Sequence, residues 1–134
     1  GVVKMNVDLP DTNVFIAVGG RPFFDALVER FYADVEHDEV LRPMYPEDLS
    51  EPIRNTAGFL AQFWGGGTEQ YSDERGHPRL RGRHMPFVIG QRERDHWLKH
   101  MLSSVAASDA PDHIKARMVE YFEMASTHMV NVEG

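Results

Sequence analysis

Residues 64–87, WGGGTEQYSDERGHPRLRGRHMPF, decide how the chain is read. Trp64 closes an apolar helical pattern, and Gly65-Gly66-Gly67 stops it. Residues 68–80 contain Gly76 and Pro78 and read as a loop. From Leu80 to His84 there is room for one or two turns before Pro86. Helix connections in a plain bundle run about 2–8 residues, so a break of this length is unusual. Long connections often carry binding sites. This one carries Arg75, Arg79, Arg81 and Arg83 beside His77 and His84.

Helical patterns flank the stretch on both sides. Upstream, Ser50 is the expected cap of a helix with Pro52 in its first turn, running through Thr56, Phe59, Leu60 and Phe63 to Trp64. Before it, Pro43 and Pro46 allow Glu39-Val40-Leu41-Arg42 at most one short turn. Arg21-Pro22 opens an earlier helix whose Phe24, Leu27, Val28, Phe31 and Val35 share one face. A short helix over 11–18 is stopped by Gly19-Gly20, and residues 1–10 show no period. Downstream, Gly90 precedes a helix over 91–108 with Trp97, Leu98, Met101, Leu102 and Val105 on its apolar side. Asp109-Ala110-Pro111 breaks it, and a last helix over 112–130 aligns Ile114, Met118, Phe122, Ala125 and Met129. No run alternates as a strand does. The expected class is all-α, with about four substantial helices.

The 134 residues favour one domain, and 42% apolar content is enough for a core. With no cysteine there is no disulfide framework, thiolate nucleophile or iron–sulfur cluster. No apolar run approaches the roughly 18–20 residues that span a membrane. The first residues lack a signal-peptide core, so a cytoplasmic location is expected. Residues 1–51 hold eleven of the 21 acidic and four of the 14 basic residues, which accounts for the whole charge of −7. Six arginines then fall within residues 75–94. An acidic chain with one arginine-dense segment points to a local anionic ligand, not to nucleic acid.

Several side chains could carry chemistry. His84, among apolar neighbours, could ligate iron in an all-α haem pocket, with nearby arginines pairing haem carboxylates. A surface turn with ordinary arginines explains the same spacing. His77 stands between Gly76 and Pro78, where a structural or propionate-side role fits better than iron ligation. His96 and His100 share a helix face and could bind zinc or copper, though they also read as solvated flanks of a core stripe. Tyr32, Tyr45 and Trp97 are two phenols and an indole that could face one cavity, or three ordinary core aromatics. No nucleophile elbow, P-loop or dinucleotide fingerprint is present.

Taken as an ordered set, these motifs resemble the group II truncated haemoglobins, the two-over-two globins. The resemblance runs from about Val14 to Val132. It is carried by Trp64-Gly65-Gly66, Tyr71-Ser72, Gly76-His77-Pro78-Arg79-Leu80-Arg81 and Arg83-His84-Met85-Pro86-Phe87. Ala17-Val18-Gly19-Gly20, Arg30-Phe31-Tyr32, Val40-Leu41-Arg42, Tyr45-Pro46-Glu47-Asp48 and Glu93-Arg94-Asp95 with Trp97-Leu98 extend it. It implies a two-over-two α-helical sandwich, a single haem-binding domain over 13–134, and a loosely ordered extension over 1–12. His84 would be the proximal ligand of haem b iron. Tyr32 and Tyr45 would be distal phenols, and Trp97 the distal indole donor. Phe59, Leu60, Phe63 and Phe87 would line the cavity, with Tyr71, His77 and Arg83 near the propionates. Between Pro46 and Trp64 the chain is about one residue shorter than the family pattern. Counting back from Trp64 then puts Thr56 over the iron and Pro52 near the distal gate.

The function so implied is reversible binding of O₂, NO or CO at a five-coordinate haem, serving oxygen binding, delivery or sensing. The alternative is a haem enzyme that performs NO dioxygenation or peroxide turnover. No fused flavin or nicotinamide domain is expected, so such turnover would need an external reductase. The acidic first third is one place for that partner, although a solvated charged surface is the favoured reading of that charge. A homodimer is compatible with the sequence.

Overall fold

The computed structural model describes residues 13–71 and 89–130, and every described helix falls where an apolar period was found. The helices are α1 (Val14–Ala17), α2 (Arg21–Val35), α3 (Ser50–Ala61), α4 (Gln91–Ala107) and α5 (Asp112–His128). Short 3₁₀ turns span Arg42–Met44 and Thr68–Gln70. No strand occurs among the described residues. None of their helices is long and apolar enough to cross a membrane. The expected extension over 1–12 lies outside the described residues.

α2 packs against α3, α4 packs against α5, and α2 crosses α4, giving two helix pairs laid over one another. Phe24, Leu27 and Phe31 of α2, Met101 of α4, and Met118 and Phe122 of α5 are fully buried where the pairs meet. Each such side chain stabilises the fold by roughly 1.5–3 kcal/mol relative to exposure. Polar bonds fix the crossing. The Ser104 hydroxyl donates to the Leu27 carbonyl at 2.6 Å, and Arg30 Nη2 donates to the Ser104 carbonyl at 3.0 Å. Arg21 ties α2 to α3 by donating to the Arg54 carbonyl at 3.3 Å, and to the next turn through Gln70 Oε1 at 3.1 Å.

The ends of α3 differ from the sequence expectation. Ser50 is the first helical residue, not the cap. Leu49 takes the cap position with no side-chain bond of its own, and Asp48 Oδ1 accepts from the Ser50 amide at 2.9 Å. A carboxylate at this position also matches the positive end of the helix dipole. At the other end the helix does not run intact to Trp64. It widens at Gln62–Gly66 into a π turn, whose hydrogen bonds reach five residues back. Gly65 adopts φ +113° there, in the left-handed region. A Cβ on Gly65 would lie 2.7 Å from Asn13 Oδ1. The side chain of Asn13 caps α1 by accepting from the Ile16 amide at 2.9 Å, and donates to the Gly65 carbonyl at 3.2 Å. At Gly58, a Cβ would collide with the Gln70 carbonyl, so the 68–70 turn folds closely over α3 only because that position has no side chain.

Candidate functional site

α2 buries one apolar stripe, and Tyr32 lies at its edge, beside Phe31. Tyr32 is 3% exposed, so its hydroxyl must find a partner inside the protein. That partner is on α3: the Tyr32 hydroxyl lies 3.2 Å from Thr56 Oγ1. The connection between the two helices brings a second phenol. Arg42 holds it in shape by donating to the carbonyls of Pro46 at 3.0 Å and Glu47 at 2.8 Å. Tyr45 follows the Arg42–Met44 turn in extended conformation and packs edge-on against Tyr32, with ring centroids 5.3 Å apart. The Tyr45 hydroxyl interacts with the Tyr32 phenol and the Trp97 indole. Trp97 comes from α4 and stands against Phe31 at 5.4 Å and Phe122 at 6.0 Å.

Four elements of chain thus deliver Tyr32, Tyr45, Thr56 and Trp97 to one place. Between them they hold four donor hydrogens, on three hydroxyls and one indole nitrogen. The bond between Tyr32 and Thr56 uses one of those hydrogens. Burial raises the Tyr32 phenol above its ordinary range, against opposing hydrogen bonds from Thr56 and Tyr45. Burial and the neighbouring Tyr32 push Tyr45 well above that range. Both phenols therefore remain neutral donors at working pH. A neutral donor cluster suits a small polarisable ligand better than an ion.

The same face of α3 continues through Phe59 to Phe63. The Phe59 ring stands 5.6 Å from Tyr71, edge-on, and 6.3 Å from Phe63. Tyr71 is 5% exposed and Leu60 3%. Phe63 is 48% exposed, although it packs 4.2 Å from the Tyr121 ring. The buried Nε1 of Trp64 has no hydrogen-bond partner among the described residues. A half-open aromatic face beside a polar donor cluster fits a flat apolar group such as haem. His77, Arg83, His84 and Phe87, expected on the iron and propionate sides, lie outside the described residues. The Tyr45 and Trp97 rings also wall a small cleft with Leu41, Met44, Ile89 and Met129.

Two features were missed. Tyr121 of α5 joins the aromatic group, meeting Trp64 at 5.6 Å as well as Phe63, and burial pushes its phenol up to about 12. Its position beside the Ile114–Met118–Phe122 stripe was the available signal. The second is Asp38. His96 and His100 flank the core stripe, His96 with its side chain 39% exposed, and both turn a ring nitrogen toward Asp38 Oδ2. No group of three side chains that could hold a metal ion occurs among the described residues. Nitrogens donating into a carboxylate have no lone pair free for a cation there.

Comparisons with known proteins agree with this arrangement. The family described as Bacterial-like globin matches residues 13–131. A group 2 truncated hemoglobin of Bacillus subtilis is 36% identical over 112 residues, covering 84% of each chain. The crystal structure of a hemoglobin from the thermophilic phototroph Chloroflexus aurantiacus superposes with a TM-score of 0.86 at 42% identity. It covers 90% of this chain and 98% of its own. A thermostable hemoglobin from the actinobacterium Thermobifida fusca gives 0.84 at 48% identity, over 88% of this chain and 96% of its own.

Proposed function

The chain belongs to the bacterial-like globins, as a group II truncated haemoglobin with the two-over-two fold and haem-based binding of small gases, and from that premise we propose that it holds haem b and reversibly binds O₂, with NO and CO as competing ligands. The observation that carries the reading is the convergence of Tyr32, Tyr45, Thr56 and Trp97 at one end of α3.

Haem supplies, when bound, an iron with one open coordination position for a diatomic gas. His84 is the residue assigned to hold the iron, and Arg83, His77 and Tyr71 are assigned to the haem carboxylates. Phe59, Leu60, Phe63 and Phe87 provide apolar surface for the macrocycle. The part played by the distal side chains follows from their chemistry. Trp97 and Tyr45 present N–H and O–H donors to the ligand, and Thr56 and Tyr32 hold Tyr45 in place from the other side. Donors of this kind would favour a ligand that accepts hydrogen bonds well, such as O₂, over one that accepts them weakly, such as CO. The cluster therefore slows release of O₂ selectively. Each donor contributes about 1 kcal/mol, or roughly fivefold in the release rate.

The test is spectroscopic. Purified protein supplied with haem is expected to show a Soret band, and reversible spectral changes with O₂ after reduction. His84→Ala is expected to lose the imidazole-ligated ferrous spectrum. Wild-type protein that takes up no haem, or a His84→Ala spectrum identical to it, would overturn the assignment.

A further inference from the structure

Asp38 stands outside the four donor side chains, yet it touches both segments that carry Tyr45 and Trp97. Its Oδ1 accepts from the amides of Val40 at 2.8 Å and Leu41 at 3.1 Å. Its main-chain carbonyl accepts from the Arg42 amide at 2.8 Å. These bonds shape the turn that leads to Tyr45. Its Oδ2 faces α4 and accepts from His96 Nδ1 at 2.9 Å and His100 Nε2 at 2.6 Å. Trp97 follows His96 directly.

We infer that Asp38 is a positioning residue of the ligand site: one carboxylate, bonded to both segments, sets the Trp97 indole against the Tyr45 phenol. The inference rests on Trp97 and Tyr45 acting as ligand donors. Its geometry is specific. Two anchors one helical turn apart fix both the rotation and the height of α4, and Trp97 stands about 100° round the helix from His96. The Asp38 side chain is only 7% exposed. An ionised carboxylate this secluded is tolerated because four donors satisfy it, two on each oxygen. The charged groups around the anchor are few among the described residues. Asp34 of α2 lies 3.7 Å from His100 Nδ1, and Asp95 of α4 neighbours His96. The other bonds between α2 and α4, at Arg30 and Ser104, lie one turn beyond His100. Loss of Asp38 therefore frees the first half of α4, around Trp97, without undoing the helix crossing.

Two variants test this. Asp38→Ala removes both sets of bonds. The pair His96→Leu and His100→Leu, made together, removes only the α4 side and leaves the turn before Tyr45 intact. Each is expected to speed O₂ release about five- to tenfold, as for the loss of a positioned donor. In a Trp97→Phe background the histidine pair is expected to alter the rate less than about twofold, because its bonds to Asp38 act through the indole. A second readout does not depend on release. In ¹⁵N spectra of the CO-saturated protein, the Trp97 indole N–H resonance should move and that of Trp64 should stay. An unmoved Trp97 resonance overturns the inference, and so does an equal acceleration by the histidine pair in the Trp97→Phe background. If Trp97→Phe alone leaves release unchanged, it is the donor reading that fails, and the indole resonance still decides whether Asp38 sets the ring.

Discussion

The hydroxyl of Tyr32 lies 3.2 Å from that of Thr56, across the interface between α2 and α3. This bond links two positions 24 residues apart. It also fixes the rotation of α3, because Thr56 meets Tyr32 only in one phase of the helix. Thr56→Val keeps the shape and removes the hydroxyl. Tyr32 then loses a partner, and its proton is redirected within the cluster. We expect O₂ release to change by about fivefold, the scale of one buried hydrogen bond. Stopped-flow release rates check this, with CO association as a control for altered access.

Tyr45→Phe removes a donor and leaves the ring in place, and Trp97→Phe puts a smaller ring without a donor where the indole stood. Each should accelerate O₂ release, by roughly five- to tenfold, with little change in CO release. The double variant should fall short of the product of the two, because the side chains contact one another. Rates unchanged in both single variants would remove the distal-donor account.

Asp38 also predicts a pH dependence of stability. Burial acts to raise its carboxyl, but hydrogen bonds from His96, His100, Leu41 and Val40 outweigh burial and hold it well below the ordinary 3.8. A carboxyl depressed by folding stabilises the native state at all pH values above its unfolded value, and that contribution drains away as the pH falls below it. The melting temperatures of wild type and Asp38→Asn should therefore differ most above about pH 4 and converge in stronger acid. A gap that stays constant across that range would show that the charge contributes nothing.

Gly65 carries strain of another kind. At φ +113°, with Asn13 Oδ1 2.7 Å from the place a Cβ would take, Gly65→Ala should destabilise the fold by about 1–3 kcal/mol. A lowered melting temperature, with α1 amides exchanging faster by NMR, would be the signature. An unchanged melting temperature would mean that the turn relaxes without cost.

Much of the fold was legible because burial imposes a period. Phe24, Leu27, Phe31 and Val35 declare a buried helix face before any partner is known, and each is fully buried. The caps were less legible. Ser50 and Asp48 are both good capping residues, and which of them bonds the helix start depends on where the preceding chain arrives. Within the candidate site, Tyr32, Tyr45 and Trp97 were identifiable as large side chains with polar tips. Their meeting was not, since it depends on contacts between separate helices. Asp38 was hidden for the same reason. It lies 58 and 62 residues from the histidines it binds, and in sequence it looks like one more acid in an acidic segment.

The widened turn at Gln62–Gly66 has a consequence for how this chain tolerates changes of length. In a regular α-helix, an added or deleted residue rotates everything beyond it by about 100°. A five-residue-back turn holds one surplus residue, and it lies beyond Thr56, with Phe63 and Trp64 inside it. Insertions and deletions absorbed there leave the phase of Thr56 toward Tyr32 untouched. The turn works as an expansion joint, taking up a change of length within itself while the Tyr32–Thr56 pair upstream stays in line.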